Sequence, residues 1–573
     1  MERHRSLAED GFDAIVVGAG MGGLTTGALL ARAGRTVLVL DQHTVAGGNG
    51  TVFRRRGYEF DVGLHYLGGC GDDGLLPRIL RAAGTEPVEF EEMDPDGFDT
   101  LLFPDFTFRV PKGIDAYRDR LVDYFPAERR GIDRYAALLR QLQAVMRGMS
   151  NPLGALVTLA RSWTLLRWAR GTFGAFLDTV TGDPRLRAVL AAESGNYAQP
   201  PSRAAVLVGA GVMLHYLEGA YYPRGGGQII ADRLADAIER NGGRVLLLAR
   251  ATRIVVEGGR VYGVEFESPH LGRRIVRAPI VVSNADLKHT MTALVGPGAL
   301  RDDTVRRVER YEMSPALGAV YLGVEGDLAA EGHRRTNYWV APGYDPEAAY
   351  AAVARGEVPA DPFVFVSIAS LKDPSNPRIA PPGVTNVQVM SLAPAHPIAW
   401  GVTEDDVESG SYRTRAAYRA RKDAYARGLI RAAEHALPGL ASRIVYEETA
   451  TPLTHRRYTG STGGTSYGIA LTPEQFLGRR PGARTEIRGL LLAGASCRTG
   501  HGITGAAMSG VMAASEVLGK RFIGRVLGAH DRGRRIAPAA VEPEAMEAAP
   551  VSSRVNDRVA PRVHDRSLDA RAR

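Results

Sequence analysis

Gly18, Gly20 and Gly23 stand in G-x-G-x-x-G spacing, between an apolar run at residues 14–17 and a helix-like stretch at residues 22–33. Glycines at these points allow a tight turn, a close approach of the backbone to a pyrophosphate, and close packing of helix on strand. The helix start aims free N–H groups at the phosphates, and Gly22 belongs to the same turn. A second apolar strand, residues 36–40, ends at Asp41, placed to accept hydrogen bonds from an adenosine ribose. The chemistry implied is dinucleotide binding. Gly47 and Gly48 follow, where the chain could pass close to the same ligand. An ordinary βαβ unit with a glycine-rich turn would account for the three glycines but would make Asp41 a coincidence.

A second set of residues could hold or move a proton beside a ligand. His65 and Tyr66 lie among Gly63, Gly68 and Gly69; His455 and Tyr467 lie in a polar, glycine-rich segment; His501 lies in the loop 497–505. A histidine satisfied within a structural turn is the plainer account of His65. His215 and Glu218 form a further polar pair. Residues 489–494 read as a strand entering a turn at Gly494, and a helix is expected over 503–518, with Gly505 and Ala506 in its first turn. This late strand–loop–helix resembles the first one, and two such units from opposite ends of the chain could clamp one dinucleotide.

The elements that must position these groups suggest an α/β fold of two domains, each built from separated segments. A length of 573 residues is too great for one core. Segments 11–69, 221–289 and 451–520 read as a Rossmann-like dinucleotide-binding domain. Segments 70–220 and 290–450 read as a mixed α+β substrate domain. In the middle block a helix is expected over 228–241. Strands follow at 244–248, 251–257, 260–268 and 275–282, and Val255, on the second of them, is taken as a cofactor contact. Strand-like alternation at 316–324, 363–370 and 386–392 suggests a sheet wall for the second domain, although alternation alone cannot say which face lines a cavity. A long amphipathic helix is expected over 404–435. Residues 153–177 carry Trp163, Trp168 and three arginines on an apolar stretch. Such a helix could lie on a membrane or pack on its own domain with snorkelling arginines. Residues 532–573 read as a disordered tail.

Bulk composition excludes several classes. Two cysteines, Cys70 and Cys497, make no disulfide framework. Residues 1–10 are charged and do not form a secretory signal, and no uncharged apolar run is long enough to span a membrane. The expected location is the cytoplasm, with peripheral membrane contact as a variant of it. The net charge is +8, but residues 520–573 hold 12 Lys and Arg against 7 Asp and Glu, so the body is nearly neutral and no nucleic-acid partner is expected. The thirteen histidines are scattered, so no metal site is expected. No second complete fingerprint accompanies the first, which favours an external electron partner over a bound nicotinamide.

Residues 18–23, Asp41 and Gly47–Gly48 resemble the amino end of flavin oxidoreductases related to phytoene desaturase. Residues 60–68 look most like the retinol saturase and carotenoid isomerase branch. Residues 491–494, 502–506 and 509–510 resemble its carboxy-terminal flavin segment, and 225–227 its internal glycine block. The resemblance implies FAD held by a Rossmann-like domain, a second domain with an apolar tunnel, and a hydrophobic polyene or isoprenoid substrate taken from a membrane. Two departures stand out: Asn49 replaces the arginine that often follows the first glycine pair, and Ala495 and Ser496 replace an acidic residue after Gly494. Flavin would supply hydride or electron transfer. Saturation of an alkene would also need a proton donor, for which His65, His501 and Tyr467 are the candidates. Desaturation and redox-neutral cis–trans isomerisation use the same flavin and remain open. So do an amine oxidase-like activity and a non-enzymatic flavin-binding module.

Overall fold

The computed structural model describes residues 11–148 and 162–528; the expected tail at 532–573 and residues 153–161 of the amphipathic stretch lie outside them. Two sheets set the architecture. The first is all parallel, in the order Arg244–Leu246, Val37–Leu40, Ala14–Val17, Ile280–Ser283, Leu490–Leu492. Its central strands are apolar runs buried on both faces, so they carry no alternation. Helix Met21–Arg32 packs against both Ile229–Arg240 and Gly502–Leu518. The second contact is close: a Cβ on Gly510 would sit 2.4 Å from the Gly22 carbonyl oxygen.

Three expectations change here. Residues 275–282 form two strands, because Pro279 offers no N–H to continue a ladder. Gly272–Arg277 joins a three-stranded antiparallel sheet with Arg250–Glu257 and Arg260–Ser268, and Ile280–Ser283 is the parallel strand. The long helix over 404–435 is broken into Glu404–Glu408 and Ala416–Ala433 around Gly410, whose φ is 73°. Helix Leu75–Ala83, assigned above to the substrate domain, instead buries Leu76, Ile79 and Leu80 in the core of the dinucleotide fold.

The second sheet has seven strands, in the order Ile444–Ala450, Ala316–Glu325, Val384–Ala393, Val364–Ile368, Asn337–Val340, Asp99–Leu102, Thr107–Val110. Every pairing is antiparallel except Asn337–Val340 with Asp99–Leu102. Alternation divides its side chains. Val320, Leu322, Val364, Val366, Val387 and Val389 pack with Tyr425 and Leu429 of helix Ala416–Ala433. Ala319, Tyr321, Trp339, Phe365 and Met390 point the other way, into the core shared with helices Arg129–Gly148 and Val206–Leu217. Among the described residues, no helix is long and apolar enough to cross a membrane.

Candidate active site

Between the two sheets lies a cavity of about 1710 Å³, larger than the roughly 300–1,000 Å³ of ordinary ligand pockets. Its wall draws on two groups of residues. One is the carboxyl ends of the parallel strands and the loops after them, where open α/β sheets bind ligands. Gly18, Gly20, Asp41, Gly47 and Gly48 line it from the amino end of the chain, and Gly494, Gly505 and Ala506 from the carboxyl end. Gly47 donates its N–H to the Ala19 carbonyl at 2.8 Å, which holds the second glycine pair beside the first turn. Asp41 braces that turn: Oδ2 accepts from the Ala19 N–H at 2.6 Å and Oδ1 from the His43 N–H at 2.8 Å. The helices starting after Gly20 and after His501 have no side-chain cap, so their first N–H groups are left free for a ligand.

Three residues expected at the cofactor do other work. Gly22 and Gly23 are absent from the cavity wall and serve packing. A Cβ on Gly23 would lie 2.1 Å from the Gly18 carbonyl oxygen, and one on Gly22 would press on the Gly494 N–H and the Ser509 hydroxyl. Val255 pairs with Gly263 in the small antiparallel sheet and does not line the cavity; Arg250 and Ala251, at the start of the same strand, do. The reason is that the strand belongs to the antiparallel sheet and meets the cavity only at its first two residues.

The second group is mostly apolar: Leu142, Val145, Leu207, Val212, Tyr321, Trp339, Phe363, Phe365 and Met390. Polar groups are few here, and one short segment organises most of them. Asn196 donates its side-chain N–H to the Tyr66 hydroxyl at 2.8 Å, and its carbonyl lies 2.8 Å from His501 Nε2. The Tyr467 hydroxyl donates to the Gly195 carbonyl at 3.1 Å, and its ring meets His501 edge-on at 4.6 Å. All four of these side chains line the cavity.

These bonds fix protonation. A carbonyl only accepts, so His501 carries its proton on Nε2, and Nδ1 is a buried acceptor with no partner. The Gln388 amide is oriented with its nitrogen 3.1 Å from both the Asp61 carbonyl and His65 Nδ1, which puts the His65 proton on Nε2. Burial, helped by the charge on Lys372, lowers His65 to about 3. Burial lowers His501 to about 4, against the opposing Asn196 bond. Both imidazoles are neutral at pH 7, so neither is a strong acid there. Burial pushes the Tyr467 phenol well up. His455 also lines the cavity and is lowered by burial to about 4. His215 accepts the Gly68 N–H at 3.0 Å, whereas Glu218 is exposed and bonds Gln143, so that pair is split.

Behind His65 lies a charge cluster that the sequence reading missed. Lys372 is 1% exposed and donates to the His65 carbonyl at 2.7 Å, Ser367 Oγ at 2.7 Å and Asn337 Oδ1 at 2.5 Å. Burial lowers it to about 7, opposed by Asp61 and Asp99. Burial in turn raises Asp61 to about 7 and Asp99 to about 6. Asn284, beside the first glycine turn, was missed as well, although its place just after a parallel strand was a usable signal. Lys372 had no local signal, since nothing in the sequence around it marks a buried cation.

Fold and site together define an oxidoreductase with a Rossmann-like dinucleotide-binding region. A family model described as an NAD(P)-binding Rossmann-like domain matches residues 16–83. An oxidoreductase from Methanosarcina mazei superposes with a TM-score of 0.59 at 17% identity, covering 88% of this chain and 99% of that one. Putrescine oxidase bound to putrescine superposes at 0.57 and 14% identity, covering 89% and 99%; at such identities the likeness is one of fold alone. The all-trans-retinol 13,14-reductase of Danio rerio is 27% identical over 534 residues, 88% of this chain and 86% of that protein. The chloroplastic prolycopene isomerase 1 of an Oncidium hybrid cultivar is 28% identical over 521 residues, covering 88% and 84%. The chain is thus similar along most of its length to retinol reductases and prolycopene isomerases.

Proposed function

We propose that the chain binds FAD and reduces a carbon–carbon double bond of a hydrophobic polyene or isoprenoid, in the manner of a retinol saturase. One observation carries this reading. Two uncapped helix starts, from opposite ends of the chain, open onto one cavity whose far wall, from Leu142 to Met390, is mostly apolar. The buried polar atoms of cavity-lining residues that lack a partner in the protein include Asn49 Oδ1, Asn284 Oδ1, Thr504 Oγ1 and His501 Nδ1. Unpaired buried polar atoms are costly, and a polar ligand laid across them removes that cost. Gly18, Gly20, Asp41, Gly47 and Gly48 would hold the adenosine and pyrophosphate; Gly494, Thr504, Gly505 and Ala506 would hold the flavin end. On this reading residues 11–69, 221–289 and 451–520, with Leu75–Ala83, make the FAD-binding domain, and the remainder of 70–450 the substrate domain.

When bound, FAD would supply hydride transfer. The chain's own part is to exclude water with the apolar wall and to lay the polyene along Trp339, Phe363 and Phe365. His65 and His501 stay neutral: His501 Nδ1 accepts a hydrogen bond from the ligand, and His65 Nε2–H donates one. The two histidines therefore orient and polarise, which replaces the acid role expected for them. Electrons come from an external donor, and the substrate from a membrane met peripherally.

A second reading is redox-neutral cis–trans isomerisation. It is favoured by the neutral histidines and by an apolar wall with no carboxylate beside His65 among the described residues. Anaerobic incubation of the FAD-loaded, reduced protein with a panel of polyenes separates the two. A gain of two mass units supports reduction. Altered retention at unchanged mass supports isomerisation, and a protein that stays colourless when folded with FAD ends both.

A further inference from the structure

Reduction of an alkene consumes a proton as well as hydride, and burial keeps His65, His215, His455 and His501 of the cavity wall uncharged at neutral pH. The structure holds a proton one layer back. Glu193 is 3% exposed and both of its carboxyl oxygens are buried, with the Asn196 side chain as the one nearby donor among the described residues. Its neighbour is the carboxyl of Asp99, itself fully buried, and after burial the nearby Asp99 carboxylate is what disfavours ionisation of Glu193. Two adjacent buried carboxylates with no donor between them are untenable, because like charges in a dry interior do not both ionise. One proton removes the conflict: a protonated Glu193 donates to Asp99 and satisfies the orphaned oxygens. Asp99 is otherwise held by two donors, the Asn337 side chain at 2.9 Å and the Tyr66 hydroxyl at 3.0 Å. Tyr66 borders the cavity, stacked on Tyr216 at 4.0 Å. The line Glu193–Asp99–Tyr66 thus runs from a closed interior to the ligand wall.

We propose that Glu193 and Asp99 share a proton, and that Tyr66 delivers it to the polyene as the general acid of the reaction. The role rests on the reduction proposed above. A bound, reduced flavin would supply the hydride, with its electron pair, to one alkene carbon. The Tyr66 O–H bond then breaks, and a C–H bond forms at the carbanion-like carbon left behind. Asp99 returns a proton to the phenolate, Glu193 makes good the loss, and the pair is reprotonated from solvent. Lys372, tied to Asn337 on the far side of Asp99, offsets the charge that remains.

Three variants of the full-length, FAD-loaded protein test this, with folding checked by flavin absorbance. Glu193→Gln keeps a donor toward Asp99 but cannot give up a proton. Asp99→Asn keeps an acceptor oxygen for the Tyr66 hydroxyl but cannot take up a proton from Glu193 and pass it on. Tyr66→Phe keeps the stacked ring and removes the phenol. At neutral pH the infrared difference between wild type and Glu193→Gln is expected to show the loss of one protonated-carboxyl carbonyl band, beside the signal that Asp61 contributes to both proteins. In single turnover in heavy water the wild-type product should carry one solvent deuterium at the protonated carbon. All three variants should slow its formation about 10²-fold or more, with flavin still bound. A difference spectrum in which Glu193→Gln loses no protonated-carboxyl band, or a Tyr66→Phe variant as fast as wild type, overturns the relay while leaving reduction standing. A wild-type protein that reduces no polyene overturns the reduction reading and, with it, the chemical role given to the relay, whatever the infrared shows.

Discussion

Lys372 shows how much one side chain can govern here. It is the cation against which Asp61 and Asp99 are buried, and its three bonds hold the His65 carbonyl, Asn337 and Ser367 in place. Removing one partner of a buried charge set leaves the others uncompensated, so Lys372→Met should destabilise the protein by about 3 kcal/mol or more. Adding Asp61→Asn to it should recover part of that loss, as read from denaturant midpoints. Four histidines predict a second effect. His65, His215, His455 and His501 are all held below the ordinary value of 6.5, the first to about 3 and the others to about 4. In acid the unfolded chain takes up these protons before the folded one does. Stability from this source is therefore complete above pH 6.5 and falls as the pH drops toward 4. Melting temperature measured across that window should decline, and less steeply in a His455→Asn variant.

At the scale of elements, the junction of helices Met21–Arg32 and Gly502–Leu518 joins the two ends of the chain. It depends on glycine at both sides, so Gly510→Ala should drive a methyl group into the Gly22 carbonyl. Overpacking of this kind costs about 1–3 kcal/mol. Because both helix starts face the cavity, Gly510→Ala should also release FAD during gel filtration, which a surface Gly→Ala such as Gly182→Ala should not. Elements were legible where the pattern is local. The first βαβ unit, the helix over 228–241 and the late helix over 503–518 follow from periodicity and glycine punctuation. The interruption at Gly410 was misread because helical spacing of apolar residues resumes after it. The strand Asn337–Val340 went unseen because four residues are too few to show a period.

At the scale of the whole molecule, a ligand that touches loops from residue 18 to residue 506 ties together segments that are otherwise separated in sequence. Binding to the folded state alone adds stability by mass action, about 4 kcal/mol at a thousandfold excess over Kd. The FAD-loaded protein should therefore melt well above the stripped protein. Asp41→Ala should narrow that gap, since it loses both a ribose contact and the brace on the Ala19 and His43 N–H groups.

The dinucleotide fingerprint was readable from the chain because its parts are adjacent: strand, glycine turn, helix and acid lie within residues 14–41, and each follows a local rule of backbone conformation. The same holds for the likeness of the two βα units. The proton-bearing interior was not readable. Glu193, Asp99, Tyr66 and Lys372 come from four distant stretches, and a charged residue in a sequence carries no mark of burial. Only the folding of the seven-stranded sheet over the parallel one, with one pleat face turned inward, brought those carboxyls together away from water and so decided which of them keeps a proton.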